Sequence, residues 1–282
     1  MVNRDFDRAI PLAPSPGERE VQGGDISIEG LSHTFESRDL RVIDNLSLHI
    51  APGSFVSFIG PSGCGKSTLL DIIGGLLRPT AGVVKRNGEL VSGPSEDMGM
   101  MFQTPALLPW RTAVDNVLLP LEIRDGKESA AEARPFAMEL LEMTDLADFA
   151  TVYPHELSGG MAQRVAICRM LVTSPQILLL DEPFGALDEL TRDRMDLELQ
   201  RICANQDATA VLITHAIAEA ALLSDQVYVL GPRPTRVMEC IDIPFERPRT
   251  LETATSLEFT EMVRHIRRLL DEGEAQSGNS LQ

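Results

Sequence analysis

Positive charge is scarce in this chain: 25 Lys and Arg stand against 42 Asp and Glu, a formal net charge of −17 over 282 residues. Nucleic acid and anionic membrane surfaces recruit Lys and Arg, so neither is the expected ligand, and the acidic balance reads as a means of solubility. Cysteine is also sparse. Cys64, Cys168, Cys203 and Cys240 form no CxxC pair and have no histidine beside them, which argues against a zinc site or disulfide framework and fits a reducing cytosol. No apolar run approaches the ~18 residues of a membrane span. The opening MVNRDFDRAIPLAPSPGERE carries charge and proline where a signal peptide needs an apolar stretch. Internal repeats are missing too. The expectation is a soluble chain whose membrane role, if it has one, comes through a partner. With 43% hydrophobic residues it can build one large domain or two closely joined lobes.

Patterning divides the chain. Residues 1–24, rich in Pro, Gly and charge, are expected to form a flexible leader. From Asp25, DISIEGLSHTF and VIDNLSLHI alternate as half-exposed antiparallel strands do, and VVKRNGELV sets Asn87-Gly88 between apolar flanks, a tight-hairpin signal. SFVSFIG (54–60), QILLLDE (176–182), TAVLITH (209–215) and DQVYVLG (225–231) are continuously apolar, as strands buried on both faces are. Helical patterns between them predict an α/β core with a mainly parallel sheet, carrying an N-terminal antiparallel β-subdomain. A segment at about 104–157 lacks strand-like runs, contains GKESAAEARPFAMELLEMTDL, and reads as an inserted α-helical subdomain. The core domain is expected over 25–238 and a tail over 239–282 with one amphipathic helix, SLEFTEMVRHIRRLL.

Two stretches suit phosphate. GPSGCGKST spans Gly60, Pro61, Ser62, Gly63, Cys64, Gly65, Lys66, Ser67 and Thr68 and matches G-x-x-x-x-G-K-[ST] between an apolar strand and a helical run. Its glycines let backbone N–H groups turn inward around phosphate oxygens. Lys66 would reach the β and γ phosphates of a nucleotide, Ser67 would offer its hydroxyl to Mg²⁺, and Thr68 could bond a phosphate oxygen. ILLLDE then supplies Asp181 for Mg²⁺ and Glu182 for a water, since adjacent residues at a strand end splay apart. The helix N-terminus and Lys66 are expected to activate the Cys64 thiol, making it a maleimide target that ATP protects. Farther on, LSGGMAQR places Ser158 where it can cap a helix, while Gly159 and Gly160 bare its first N–H groups as a second anion cradle.

P-loop, LSGG and LLLDEP in this order resemble the nucleotide-binding subunit of ATP-binding cassette (ABC) transporters, over about 25–238. Gln103 in MMFQTPALLPW falls at the family's glutamine that senses Mg²⁺ and the γ-phosphate. Gly185 to Asp188 match its dimer-contacting loop, and His215 its switch histidine. Phe35 takes the adenine-stacking position where many relatives carry Tyr, and stacking needs only the ring. The chain departs from the common pattern at Met161, Ala162 and Ala216, none of which removes a backbone donor. The resemblance implies an ATPase using Mg²⁺, with two copies docked head to tail so that Ser158, Gly159 and Gly160 cover the partner's ATP. That supplies a use for the second cradle. LLPWRTAVDNVLLPLE, LSGGM and VYVLGPRPTRV…IPFERPR narrow the likeness to the nitrate, sulfonate and taurine importer group. Its ATPases sit at the cytoplasmic face of the inner membrane on a permease dimer served by a solute-binding protein. Trp110, the one tryptophan, is expected either to touch the permease or to anchor the helical insertion. A lipid or lipoprotein exporter subunit shares every catalytic motif, and only the tail argues against it. A soluble ABC ATPase acting on nucleic acid or ribosomes usually carries tandem cassettes or basic linkers, which this chain lacks.

Overall fold

The computed structural model describes residues 23–185 and 187–279; most of the expected leader lies outside them. The chain runs through β1 (Ile26–Phe35), β2 (Leu40–Ile50), β3 (Phe55–Ile59), α1 (Lys66–Ile73), β4 (Ala81–Arg86), β5 (Glu89–Leu90) and β6 (Met98–Met101). The helical stretch follows as α2 (Ala113–Asp125), α3 (Lys127–Glu132), α4 (Arg134–Met143) and α5 (Gly159–Leu171). Then come β7 (Ile177–Asp181), α6 (Glu189–Gln206), β8 (Thr209–Ile213), α7 (Ile217–Leu223), β9 (Gln226–Leu230), β10 (Val237–Asp242), α8 (Leu251–Thr255) and α9 (Leu257–Asn279).

The alternating segments form an antiparallel sheet in the order β2-β1-β4-β5, closed at Asn87-Gly88 by the expected hairpin. Both turn residues take positive φ, 49° and 78°, which Asn and Gly tolerate best. Gly82 is required by close approach: a Cβ there would lie 2.3 Å from the Gly30 carbonyl oxygen.

The continuous apolar runs build a second sheet in the order β10-β9-β3-β8-β7-β6, parallel except for β10. Side chains on a strand point alternately to its two faces, and here both faces are covered. Ile177 and Leu179 of β7 join a core with β1, β2 and α1, while Leu178 and Leu180 join one with α2, α4, α5 and α6. Fully burying a Leu or Ile side chain is worth about 1.5–3 kcal/mol, so these strands anchor the α/β fold that the sequence predicts. β6 was not expected as a strand. Met98, Gly99, Met100 and Met101 carry little strand propensity, but they pair in parallel with β7 at the sheet edge.

Between residues 104 and 157 the elements are helical throughout. The loop entering α2 is held by Asn116, whose side chain accepts from the Leu108 amide at 2.7 Å and donates to the carbonyls of Leu108, Arg111 and Thr112 at 3.0–3.2 Å. Buried completely, this amide is fully paired.

The expected boundary at 238/239 falls inside β10, and two helices follow where one was expected. Ile241, Ile243, Phe259 and Ile266 pack with Ala220, Ala221 and Leu222 of α7 and Val227 and Val229 of β9. Arg249 seals this join at 2% exposure. Its guanidinium donates to the carbonyls of Phe245 at 2.7 Å, Leu222 at 2.9 Å and Ser224 at 2.7 Å, capping the otherwise open C-terminus of α7. Its backbone N–H donates to Gln200 of α6. Arg249→Met should strand those carbonyls and cost about 2–4 kcal/mol. A urea-unfolding midpoint equal to wild type would show that the apolar contacts alone hold the tail.

Candidate functional site: a nucleotide cleft at the strand ends

Sheet order decides which loops meet. β3, β8, β7 and β6 are neighbours and run parallel, so their C-terminal ends lie along one rim, where ligands bind in open α/β sheets. β3 delivers the P-loop, β8 delivers His215, β7 delivers Asp181 and Glu182, and β6 delivers Gln103.

The P-loop curls around a cleft lined by Ser62, Gly63 and Gly65 to Thr68, with Phe35, Glu182 and His215 across it. Gly63 and Gly65 have φ of 72° and 124°, and a Cβ on Gly65 would stand 2.5 Å from Val42 Cγ1, so both are glycine for conformational reasons. Lys66 is buried at 5% exposure, with Nζ donating to the Gly60 carbonyl at 2.8 Å and the Pro61 carbonyl at 3.0 Å. A buried ammonium without a carboxylate ion pair among the described residues fits a site built for phosphate. Phe35 ends β1 at 36% exposure. Its ring meets His33 edge-on, 4.7 Å between centroids at 84°, leaving a face available for stacking.

The side of the cleft formed by Ser67 and Asp181 is polar. Burial raises the pKa of Asp181, and a hydrogen bond from Ser67 works against that shift. Hydroxyl and carboxylate therefore stand together, hard oxygen donors of the kind Mg²⁺ takes. Among the described residues no cluster of three or more His, Cys, Asp and Glu can hold a metal unaided, so an ion here would draw its other ligands from phosphate and water.

Glu182 occupies an unusual backbone position for a non-glycine residue, φ 48°. Its Oε2 accepts from Gln103 Nε2 at 3.0 Å and its Oε1 lies 2.8 Å from His215 Nε2. The structure thus brings Lys66, Ser67, Gln103, Asp181, Glu182 and His215 into one constellation.

Other expected residues are placed elsewhere. Ser158 caps α5, its Oγ accepting from the Met161 amide at 3.2 Å, with Gly159 exposed beside it. Ser158, Gly159 and Gly160 do not line the cleft of their own P-loop. A Cβ on Gly160 would lie 2.8 Å from Leu187 Cδ2, which sets the start of α5 against Leu187. Asp188 caps α6 by accepting from the Thr191 amide at 3.0 Å. Gly60 and Pro61 serve Lys66 through their carbonyls and, like Cys64, do not line the cleft.

The expectation of a reactive Cys64 is corrected. The thiol is 2% exposed and packs in the core cluster with Leu69 and Leu70, so the loop offers phosphate its backbone and keeps the sulfur inside. Arg38 and Arg233 also line the cleft and were not foreseen. Arg233 arrives because Thr235 donates its N–H to the Val42 carbonyl at 2.7 Å and its hydroxyl to the Cys64 carbonyl, while Arg236 pairs with Asp44. PRPTR in the sequence was the available signal.

A scan of family models matches residues 43–185 to a family described as ABC transporter. The chain belongs to the ABC transporter family. It is 44% identical over 239 residues to the taurine import ATP-binding protein TauB of Rhizobium johnstonii, covering 83% of this chain and 90% of that one. The aliphatic sulfonates import ATP-binding protein SsuB of Bacillus subtilis is 41% identical, covering 81% and 88%. Among solved structures, the dimeric post-hydrolysis state of the ATP-binding cassette MJ0796 bound to ADP and Pi aligns at a TM-score of 0.71 and 33% identity, over 78% of this chain and all of that one. The α/β cassette expected from the motifs is the fold of those structures.

Thiol chemistry tests how the P-loop sits. Cys168 and Cys203 are buried with pKa values pushed up to about 12 by burial, leaving Cys240 as the exposed thiol among the four cysteines. Native protein should take up maleimide at Cys240 first, with ATP hydrolysis unchanged and the label lost in Cys240→Ser. Rapid labelling of Cys64 that ATP blocks would contradict the buried placement.

Proposed function

We propose that this chain is the ATPase subunit of a solute importer, hydrolysing Mg-ATP as a head-to-tail pair and driving a membrane permease for solutes of the nitrate, sulfonate and taurine kind. The observation that carries the reading is the double hold on Glu182, by Gln103 on one oxygen and His215 on the other, beside a P-loop with a buried lysine. The relatives' names support import and its solute class. The dimeric cassette structures support pairing. No helix among the described residues is long and apolar enough to cross a membrane, so attachment to the membrane would run through the permease, with a solute-binding protein delivering cargo from the far side.

In this reading the nucleotide supplies the reacting γ-phosphate, and the protein's contribution is positioning and charge. Backbone N–H groups of Ser62 to Ser67 and the Lys66 ammonium hold the phosphates. Ser67 and Asp181 would hold Mg²⁺, which would offset charge on the phosphate oxygens. Glu182 takes a proton from the attacking water once it gives up one of its present partners. His215 would then carry its hydrogen bond to the γ-phosphate, and Gln103 would be free to help hold the ion. Ser158, Gly159 and Gly160 lie outside their own cleft and present N–H groups at the start of α5, where a second copy's γ-phosphate would sit. The groove on the helical segment, with Trp110 70% exposed beside Arg111, Lys127 and Tyr153, is the surface a permease loop would meet.

Glu182→Gln should keep ATP affinity and lose on the order of 10²–10⁴-fold in turnover, the usual contribution of a positioned base. Light scattering should show it accumulating as a dimer in Mg-ATP, and wild-type turnover would remove Glu182 from the chemistry. Ser158→Arg should leave ATP binding to the monomer intact while preventing that dimer. Loss of monomer binding would mean that the second cradle serves its own subunit.

A further inference from the structure

Arg38 and Arg233 line the nucleotide cleft and have no part in the chemistry above. With Lys66 they make three cations among the described lining residues, against the single carboxylate of Glu182, which Gln103 and His215 already hold. The balance of the whole chain is the reverse, 25 Lys and Arg to 42 Asp and Glu. A cleft opposite in sign to the molecule around it draws and focuses an anion. Neither arginine makes a side-chain hydrogen bond or ion pair with a described residue, whereas Arg41 and Arg236, each three positions farther on, share Asp44.

The lining residues run in a fixed order from the base end of the cleft to its phosphate end. Phe35 stands opposite Leu40 in the register of β1 and β2, and Leu40 and Val42, two apart on β2, both line the cleft. Val42 then abuts the P-loop, its Cγ1 2.5 Å from where a Cβ on Gly65 would stand. Arg233 joins this row at Val42. Its loop, between β9 and β10, is pinned there by the fully buried Thr235. Thr235 donates its N–H to the Val42 carbonyl at 2.7 Å and its hydroxyl to the Cys64 carbonyl, while its own carbonyl accepts from the Asp44 amide at 3.1 Å. The Gly231 amide closes the loop by donating to the Arg236 carbonyl at 2.9 Å. The backbone beside Arg233 is thereby tied to β2 and to the P-loop at once, so little backbone freedom is lost when the guanidinium takes a ligand.

We propose that Arg233 is a substrate-binding residue that holds the α-phosphate of the nucleotide. The inference rests on the nucleotide reading of the cleft given above. A nucleotide with its base on Phe35 and its β and γ phosphates at Lys66 lays its ribose and α-phosphate across Leu40 and Val42, beside Arg233. Of those two groups the guanidinium favours the phosphate, because its paired N–H donors match phosphate oxygens and bond a charged oxygen more strongly than a hydroxyl. Arg38 follows Phe35 in the turn between β1 and β2, at the base end, and adds to the positive field there.

The α-phosphate is common to ATP and ADP, so the contact acts on substrate and product alike and leaves the γ-phosphate chemistry alone. The experiment titrates ADP, ATP and 2′,3′-dideoxy-ADP by calorimetry in EDTA, where no hydrolysis intervenes, and measures steady-state hydrolysis of Mg-ATP. It compares wild type, Arg233→Gln, Arg38→Gln and Arg267→Gln, the last an exposed arginine of α9 outside the cleft. Arg233 has no described partner to lose, so its replacement leaves the bonds of the fold intact, and an unfolding temperature equal to that of wild type checks this.

Arg233→Gln should weaken ADP and ATP by the same factor, about tenfold, the lower end for a charged hydrogen bond at an open rim. The dideoxy nucleotide, which lacks the ribose hydroxyls, should lose as much. KM for Mg-ATP should rise with kcat held within about twofold, the mark of binding shared by ground and transition states. Arg267→Gln should match wild type throughout. Wild-type affinity for both nucleotides in a folded Arg233→Gln protein would overturn the proposal. So would a loss confined to ATP, which puts the guanidinium on the γ-phosphate, or one that vanishes with the dideoxy nucleotide, which puts it on the ribose. Equal losses in Arg38→Gln and Arg233→Gln would overturn it too, since the general field of the cleft would then be responsible. Wild-type protein that binds neither ADP nor ATP would defeat the nucleotide reading itself, an outcome distinct from any failure of Arg233→Gln alone.

Discussion

Parallel pairing of β3, β8, β7 and β6 is the constraint from which the site follows. A parallel ladder can be joined only by crossover connections that return the chain to the same starting edge, so every strand delivers its C-terminus to the same rim. The residues carrying chemistry lie between positions 60 and 215, yet they converge because they are the last residue of a strand or the few that follow one. Pairing in turn depends on burial of both faces, achieved by branched aliphatic side chains at every position of β8 but two. A polar substitution within those strands would disturb the cleft without touching any residue that lines it.

Much of this was legible. Continuous apolar runs announced the buried strands, Asn87-Gly88 announced the hairpin, and the P-loop was identifiable from its glycines and lysine between a strand and a helix. β6 was hidden because Met98 to Met101 owe their conformation to the edge of β7 and not to their own propensity. β10 was missed because VMECID alternates too weakly to mark a strand, and it forms against an already complete β9. Arg38 and Arg233 could not be placed in the cleft from composition. Their positions depend on the β1-to-β2 connection and on the loop that Thr235 and Arg236 pin to β2, contacts far apart in sequence. Cys64 shows the opposite error. Sequence neighbours suggested an activated thiol, but the tight turn that aims N–H groups at the cleft rotates this side chain into the core.

The tail is similarly continuous with the cassette. Arg249 and Gln200 tie it to α6 and to the C-terminus of α7, while Thr214 and Glu219 tie the N-terminal end of α7. With both ends fastened, this short helix links the backbone beside His215 to the tail.

Glu182 carries a further consequence. One carboxylate oxygen is held from the loop after β6 and the other from the loop after β8, so this side chain answers to two loops at once. Releasing either alone leaves it held by the other. A change that frees the carboxylate completely must therefore move both loops.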